Sequence, residues 1–122
     1  AEGRLILADA LARACEDEPA LLLDFATLTG AARTALGPDL PPFFTSDDAL
    51  AAELAQASLE TADPIWRMPL WDAYESDMDS PIADLKNTGD GAFAGAIFGA
   101  LFLRRFVNVA AWAHFDVYAW AP

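Results

Sequence analysis

Residues 20–31 have the sequence ALLLDFATLTGA, and this stretch decides the fold. Its leucines 21–23 form a short continuous apolar run, which is typical of a strand buried on both faces. A turn follows at residues 27–30, and residues 31–36 have a helical composition that Gly37 and Pro38 bring to an end. A strand, a glycine turn and a helix in this order form a building block of parallel α/β sheets.

The flanking segments continue the alternation of helices and extended pieces. Apolar residues at helical spacing predict a helix over residues 5–14. Ser46 or Asp47 can cap a following helix, because either side-chain oxygen can accept from free amide groups. Residues 64–84 are predicted to be irregular. Further helices are predicted over residues 49–59 and 94–106, and extended segments over residues 41–45 and 107–117.

Composition excludes several classes of function. The 122 residues carry 7 Lys+Arg against 19 Asp+Glu, a formal net charge of −12. That charge would repel phosphates, so neither nucleic acid nor an anionic membrane surface is an expected partner. Apolar residues make up 55%, enough for a core, but no apolar run reaches the roughly 20 residues of a membrane span. Cys15 is the single cysteine, which excludes a disulfide framework and a thiolate zinc cluster.

Several chemically suggestive residues have simpler interpretations. His114 lies in an apolar, strand-like run and is predicted to be a hydrogen-bonded core residue rather than a general base. Cys15 has acidic neighbours, which disfavour the thiolate form that a nucleophile needs. Residues 75–79 lack the glycine and terminal glutamate of a calcium loop, and residues 89–91 lack the lysine of a phosphate loop.

Two features remain as candidates for a functional site. Glu2 and Arg4 stand two residues apart, and in an extended segment their side chains would project to the same side. A carboxylate and a guanidinium together can bind a metal ion and an oxyanion; solvated charges at a terminus stay open as the alternative for this pair. The second feature is the turn at residues 27–30, because ligands of open α/β sheets bind beyond the carboxyl ends of the strands. A plain strand-to-helix turn stays open as the alternative there.

The sequence resembles the leucyl aminopeptidases, also called cytosol aminopeptidases. Residues 1–5, AEGRL, are similar to the end of the family signature Asn-Thr-Asp-Ala-Glu-Gly-Arg-Leu, and residues 24–31, DFATLTGA, are similar to its Asp-x-Ala-Thr-Leu-Thr-Gly-Ala. The likeness continues in family order over essentially the whole chain. Its other pieces are residues 7–11, 66–70, 80–84 with Asn87, 95–97, 102–103 and 112–116.

This resemblance implies a three-layer α/β/α sandwich with a mixed sheet, present here as a partial domain. It implies a cytoplasmic enzyme, usually a hexamer, that removes N-terminal residues from peptides with two divalent metal ions (zinc, manganese or magnesium). By this likeness Glu2 binds metal, and Arg4 is catalytic, holding a bicarbonate or the oxyanion of the reaction. The resemblance assigns substrate binding to the turn residues Thr27, Leu28, Thr29 and Gly30.

The resemblance also indicates what residues 1–122 lack. The signature aspartate would immediately precede Ala1, and the family's metal-binding lysine, further aspartates and catalytic lysine come from an earlier segment. Lys86 is the only lysine and matches neither lysine position. We therefore expect residues 1–122 to be the C-terminal portion of a catalytic domain, truncated at both ends, and to be inactive alone.

Two other interpretations stay open. The chain could come from a family relative that has lost catalysis and has a structural or binding role in an oligomer. It could also be an independent acidic α/β module that binds a protein partner through Trp66, Trp71 and Tyr74.

Overall fold

The computed structural model describes residues 2–78 and 93–118, and contains five helices and four strands within those ranges. The helices are α1 (Glu2–Cys15), α2 (Ala31–Leu36), α3 (Asp48–Thr61), α4 (Ala73–Asp77) and α5 (Gly95–Arg104). The strands are β1 (Leu22–Ala26), β2 (Pro42–Phe44), β3 (Trp66–Arg67) and β4 (Trp112–Asp116). Among the described helices, none is long and apolar enough to cross a membrane.

The four described strands form one mixed sheet in the order β1-β4-β2-β3. Strand β1 runs parallel to β4, with Asp24 opposite His114 and Ala26 opposite Asp116. Strand β4 runs antiparallel to β2, and β2 runs parallel to β3. The mixed α/β sheet is therefore confirmed. The prediction that the strand of the 20–31 stretch is buried on both faces was wrong, because β1 lies at the edge of the described sheet and exposes Leu23 (37%) and Phe25 (61%), whereas the neighbouring β4 is buried throughout.

Helices cover both faces of this sheet because successive side chains of β4 point to opposite sides. Ala113 and Phe115 pack with Leu50 of α3 on one face. On the other face Trp112 packs with Leu11 of α1 and with residues of α5. These two clusters make the three layers that the family resemblance implies.

One local prediction at the start of the chain was wrong. Glu2 and Arg4 belong to α1, not to an extended segment before a helix. Positions two apart on a helix differ by about 200° around its axis, so the argument that both side chains project to one side fails. An acid in the first turn of a helix is favoured by the helix dipole, and the helix therefore begins earlier than the apolar spacing indicates.

Other boundaries were predicted in part. Asp47 is the cap of α3, and its Oδ1 accepts from the Leu50 amide at 3.1 Å. The segment predicted as irregular contains β3 and α4, and the last strand is shorter than predicted, at Trp112–Asp116. The predictions for residues 79–92, including Lys86 and the 89–91 glycine turn, lie outside the described residues.

Candidate active site

The 27–30 turn lies at the carboxyl ends of two parallel strands. Ala26 ends β1 opposite Asp116, which ends β4, so both strands finish at the same edge of the sheet. The Val117 amide donates to the Ala26 carbonyl at 2.9 Å and extends this pairing by one residue. The turn therefore occupies the edge at which open α/β sheets bind ligands.

The carboxylate of Asp116 holds the turn from inside the fold. Its Oδ1 accepts from the backbone amides of Leu28 at 3.1 Å and Thr29 at 3.2 Å. Its Oδ2 accepts from the Thr29 hydroxyl at 2.5 Å. Asp116 is only 3% exposed, and these three donors compensate for the burial of its polar atoms. The resemblance includes Asp116 in a matching segment but gave it no role, because its position beside the turn depends on the pairing of β1 with β4.

Helix α5 approaches the turn closely because residue 99 is glycine. A Cβ atom at Gly99 would lie 3.2 Å from Thr29 Cγ2 and 3.3 Å from Leu28 Cδ2. Both distances are below ordinary van der Waals contact, so a side chain there would push against the turn. Gly99 thus sets the spacing between α5 and the turn.

The side chain of Arg4, which belongs to α1, also lies close to Gly99. Its Nη2 would lie 4.0 Å from a Cβ at Gly99, the position that Thr29 also contacts. Its guanidinium lies over the ring of Phe102, 5.5 Å from the ring centroid. Arg4 and the 27–30 turn, predicted separately from sequence, are brought together by α5.

The electrostatic state of Arg4 is unusual for an arginine. The side chain is half-buried, and its Nε has no hydrogen-bond partner among the described residues. Burial lowers the pKa of Arg4 from its ordinary value by desolvating the charged form. An arginine still stays protonated in a protein, so the site contains a partly desolvated cation. None of the ion pairs among the described residues includes Arg4.

This arrangement is suited to an anion. A guanidinium with free donors recognises a planar carboxylate-type anion through paired hydrogen bonds. Partial burial strengthens such a contact, because the effective dielectric constant is lower than in water. The face of Phe102 adds a further stabilisation of the cation.

The described residues do not form a metal site by themselves. They contain no group of three or more His, Cys, Asp or Glu side chains that could hold a metal ion. The backbone of Glu2 belongs to α1, but the structure does not describe the Glu2 side chain. The prediction that Glu2 binds a metal ion is therefore untested.

A second polar cluster lies deeper in the sheet. Asp24 Oδ2 accepts from the Trp112 indole at 2.8 Å, and Asp24 Oδ1 bonds to His114 Nδ1. His114 is fully buried, stacks on Phe44 at 5.9 Å, and its Nε2 has no partner within the described structure. The prediction that His114 is a hydrogen-bonded core residue is confirmed.

The three aromatic residues that could bind a protein partner differ in whether they are exposed or packed. Trp66 and Trp71 are 58% and 55% exposed. Tyr74 instead stacks on Phe98 of α5 with 5.2 Å between ring centroids.

Cys15 is buried, with its Sγ 4.0 Å from the Phe106 carbonyl, as expected of an unreactive thiol.

Together these features define an α/β protein with a candidate anion-binding site at the carboxyl edge of its sheet. Residues 1–122 match the family model described as the cytosol aminopeptidase family, catalytic domain. The chain belongs to this family, and it corresponds to part of the catalytic domain.

Relatives and solved structures agree with that membership. The chain is 51% identical over 120 residues to a probable cytosol aminopeptidase of Chlamydia trachomatis, covering 96% of this chain and 24% of that protein. The crystal structure of a cytosol aminopeptidase from Coxiella burnetii matches with a TM-score of 0.84 at 54% identity, over 98% of this chain and 26% of that one. The bottromycin maturation enzyme BotP in complex with Mn matches with a TM-score of 0.81 at 35% identity, over 95% of this chain and 26% of that one. The chain spans about a quarter of the length of the relatives it matches.

Proposed function

We propose that this chain is the C-terminal portion of the catalytic domain of an aminopeptidase that removes N-terminal residues from peptides and depends on two divalent metal ions. Family membership over the whole chain supports the hydrolase activity. In this proposal residues 1–122 supply one side of the active site, and residues outside this chain supply the rest.

The observation that carries the proposal is the position of Arg4. A half-buried guanidinium, whose Nε has no partner within residues 2–78 and 93–118, lies beside a backbone turn at the carboxyl edge of the sheet. Peptide hydrolysis develops negative charge on the oxygen of the attacked carbonyl, and a fixed cation that lies close to this oxygen lowers the barrier. Arg4 would stabilise this oxyanion directly or would hold a bicarbonate that takes up a proton.

The turn residues would bind the substrate. Thr27 and Gly30 are exposed, whereas Leu28 and Thr29 are half-buried and held by Asp116. Backbone groups of a fixed turn recognise the peptide main chain whatever its side chains are. This assignment makes the turn the part of the chain that orients the scissile peptide.

The metal ions would be zinc, manganese or magnesium, with Glu2 as one ligand. The Mn complex of the related enzyme BotP supports a divalent metal in this family. The described residues contain no set of three possible ligands, and the family resemblance implies that the other ligands come from a segment that precedes residues 1–122. When bound, two such ions supply an activated water and polarise a carbonyl.

The remaining parts of the proposal concern the whole protein. We propose a cytoplasmic enzyme that assembles into a homo-oligomer, as a hexamer, with peptides as substrates and no nucleic-acid or membrane partner. The names of the relatives support the cytosolic location, and the charge of −12 argues against nucleic-acid and anionic-membrane partners.

The proposal is tested with the full-length protein, leucine p-nitroanilide and added manganese or zinc. The variant Arg4→Ala is expected to lower kcat by about 10- to 100-fold, because it removes a preorganised cation from the reacting oxygen. Bound metal, measured by elemental analysis, is expected to stay unchanged, since Arg4 is not a ligand.

The matched control is Arg13→Ala in the same helix. Arg13 is exposed and pairs with Glu16 at 2.7 Å, far from any predicted substrate contact, so its removal should leave kcat unaltered. Normal turnover by Arg4→Ala would remove Arg4 from the mechanism. Turnover by purified residues 1–122 would contradict the expected need for ligands from outside this chain, and a full-length wild type without turnover would favour the non-catalytic relative.

A further inference from the structure

We propose that Asp116 is a positioning residue for substrate binding: its carboxylate turns the Thr27 and Leu28 carbonyls outward, as acceptors for peptide N–H groups. This inference rests on the proposed aminopeptidase function and assigns to Asp116 a role in that same site.

The first step is the direction of the peptide units. The Leu28 and Thr29 amides both donate to Asp116 Oδ1, which lies on the sheet side of the turn. In a trans peptide unit the N–H and the C=O point in opposite directions. All peptide bonds of the described residues are trans. The carbonyls of Thr27 and Leu28, which belong to these two units, therefore point away from Asp116.

The second step is that these carbonyls are available. Neither receives a hydrogen bond from any described residue. Thr27 is exposed and Leu28 is half-buried, so both lie near the surface at the edge of the sheet. A strong acceptor in that position is satisfied by water until a ligand with N–H groups displaces it.

The third step is that the turn is held against rotation on two sides. The Thr29 hydroxyl donates to Asp116 Oδ2, while the Thr29 methyl packs against Gly99 of α5. A flip of either peptide unit would break one of the two amide hydrogen bonds to the buried Asp116 Oδ1 and turn a carbonyl oxygen towards that carboxylate, which is costly. Asp116 thus fixes the acceptors without itself touching the substrate.

Kinetics of the full-length protein with leucine p-nitroanilide and with a leucyl dipeptide test this role. For Asp116→Ala we expect the KM of the dipeptide to rise about tenfold while kcat per folded molecule changes less than about threefold, since a contact made equally in ground and transition states acts on KM. Asp116→Asn should restore KM to within about threefold, because the amide oxygen can accept from both backbone N–H groups and the Thr29 hydroxyl can accept from the amide nitrogen.

A merely structural role for Asp116 gives a different result. Loss of folded enzyme would lower the apparent kcat and leave KM unchanged, and that outcome would overturn the inference while leaving the proposed function intact. The control Asp47→Ala removes another carboxylate that accepts from backbone, at the cap of α3 on the opposite face of the sheet, and should not move KM.

Two further measurements test the inference if Asp116→Ala folds poorly or if the wild type is inactive. Thr29→Val keeps the methyl contact but loses the bond to Asp116 Oδ2, and should raise KM, whereas Thr29→Ser keeps that bond and should raise it less. Amide hydrogen exchange should show protection at Leu28 and Thr29 that Asp116→Ala abolishes and Asp116→Asn keeps. Unprotected amides in the wild type would contradict the inference independently of activity.

Discussion

Asp24 and Asp116 are both buried carboxylates on adjacent strands and on the same face of the sheet, yet their partners differ in kind. Asp24 lies in the middle of β1 and bonds to two side chains of β4, Trp112 and His114. Asp116 lies at the end of β4 and bonds to the backbone and hydroxyl of the turn. The position along the strand decides which kind of partner is within reach.

The comparison separates stability from binding geometry. A carboxylate between two strands fixes their register, because a shift by one residue would move Asp24 to the other face and leave buried donors unpaired. A carboxylate at the strand end fixes the segment that leaves the sheet. We therefore expect substitutions at Asp24 to act on folding and substitutions at Asp116 to act on substrate affinity.

The largest expected effect is that of Asp24→Ala. It leaves the Trp112 indole and the His114 ring without their acceptor, and two unsatisfied buried groups cost about 4 kcal/mol together. Hydrogen exchange of β1 and β4 in the full-length protein measures this as a loss of protection. The KM of the folded fraction should stay at the wild-type value. A raised KM with full protection would break the distinction between the two aspartates.

Gly99→Ala has an intermediate expected effect and acts on the turn from the other side. The new Cβ would meet Thr29 Cγ2 at 3.2 Å, so we expect the turn to shift and the KM for a leucyl dipeptide to rise about fivefold. Stability should change by less than about 1 kcal/mol, because alanine is the better helix former.

Its control is the double variant Gly99→Ala with Thr29→Ser. Serine lacks the methyl group that the new Cβ would meet, and it keeps the hydroxyl that bonds to Asp116. The KM should return towards that of Thr29→Ser alone. Equal KM values for Gly99→Ala and the wild type would mean that the spacing between α5 and the turn does not matter for binding.

The smallest expected effect is that of Trp112→Phe. It removes only the indole donor to Asp24 and retains most of the apolar contact with Leu11 and Leu103, so a loss of about 1 kcal/mol is expected. Thermal unfolding of the full-length protein checks the size. In combination with Asp24→Ala the two losses should be less than additive, because both remove the same hydrogen bond.

Much of the architecture was predictable because its signals are local. The leucine run, the turn at residues 27–30 and the helical composition of residues 31–36 occur in the order that a parallel strand–helix unit requires. Short elements were missed, since β3 has two residues and α4 has five, too few to show a period. The predicted start of α1 was wrong because Glu2 and Gly3 are not apolar and add nothing to the helical spacing of apolar residues.

The site was predictable only in its separate pieces. Arg4 and the turn were identified from motifs, but their meeting at Gly99 depends on how α1 and α5 pack. The role of Asp116 depends on a parallel register that joins residues 88 apart in sequence. The sequence contains no local signal for such a pairing.

The anchoring of the 27–30 turn has a consequence for the thermodynamics of peptide capture. The conformation of the turn is already restricted when the protein folds. The turn would therefore lose little conformational entropy when a peptide binds to it. Association should then resemble rigid lock-and-key docking, with main-chain recognition that is indifferent to the identity of the residue being removed.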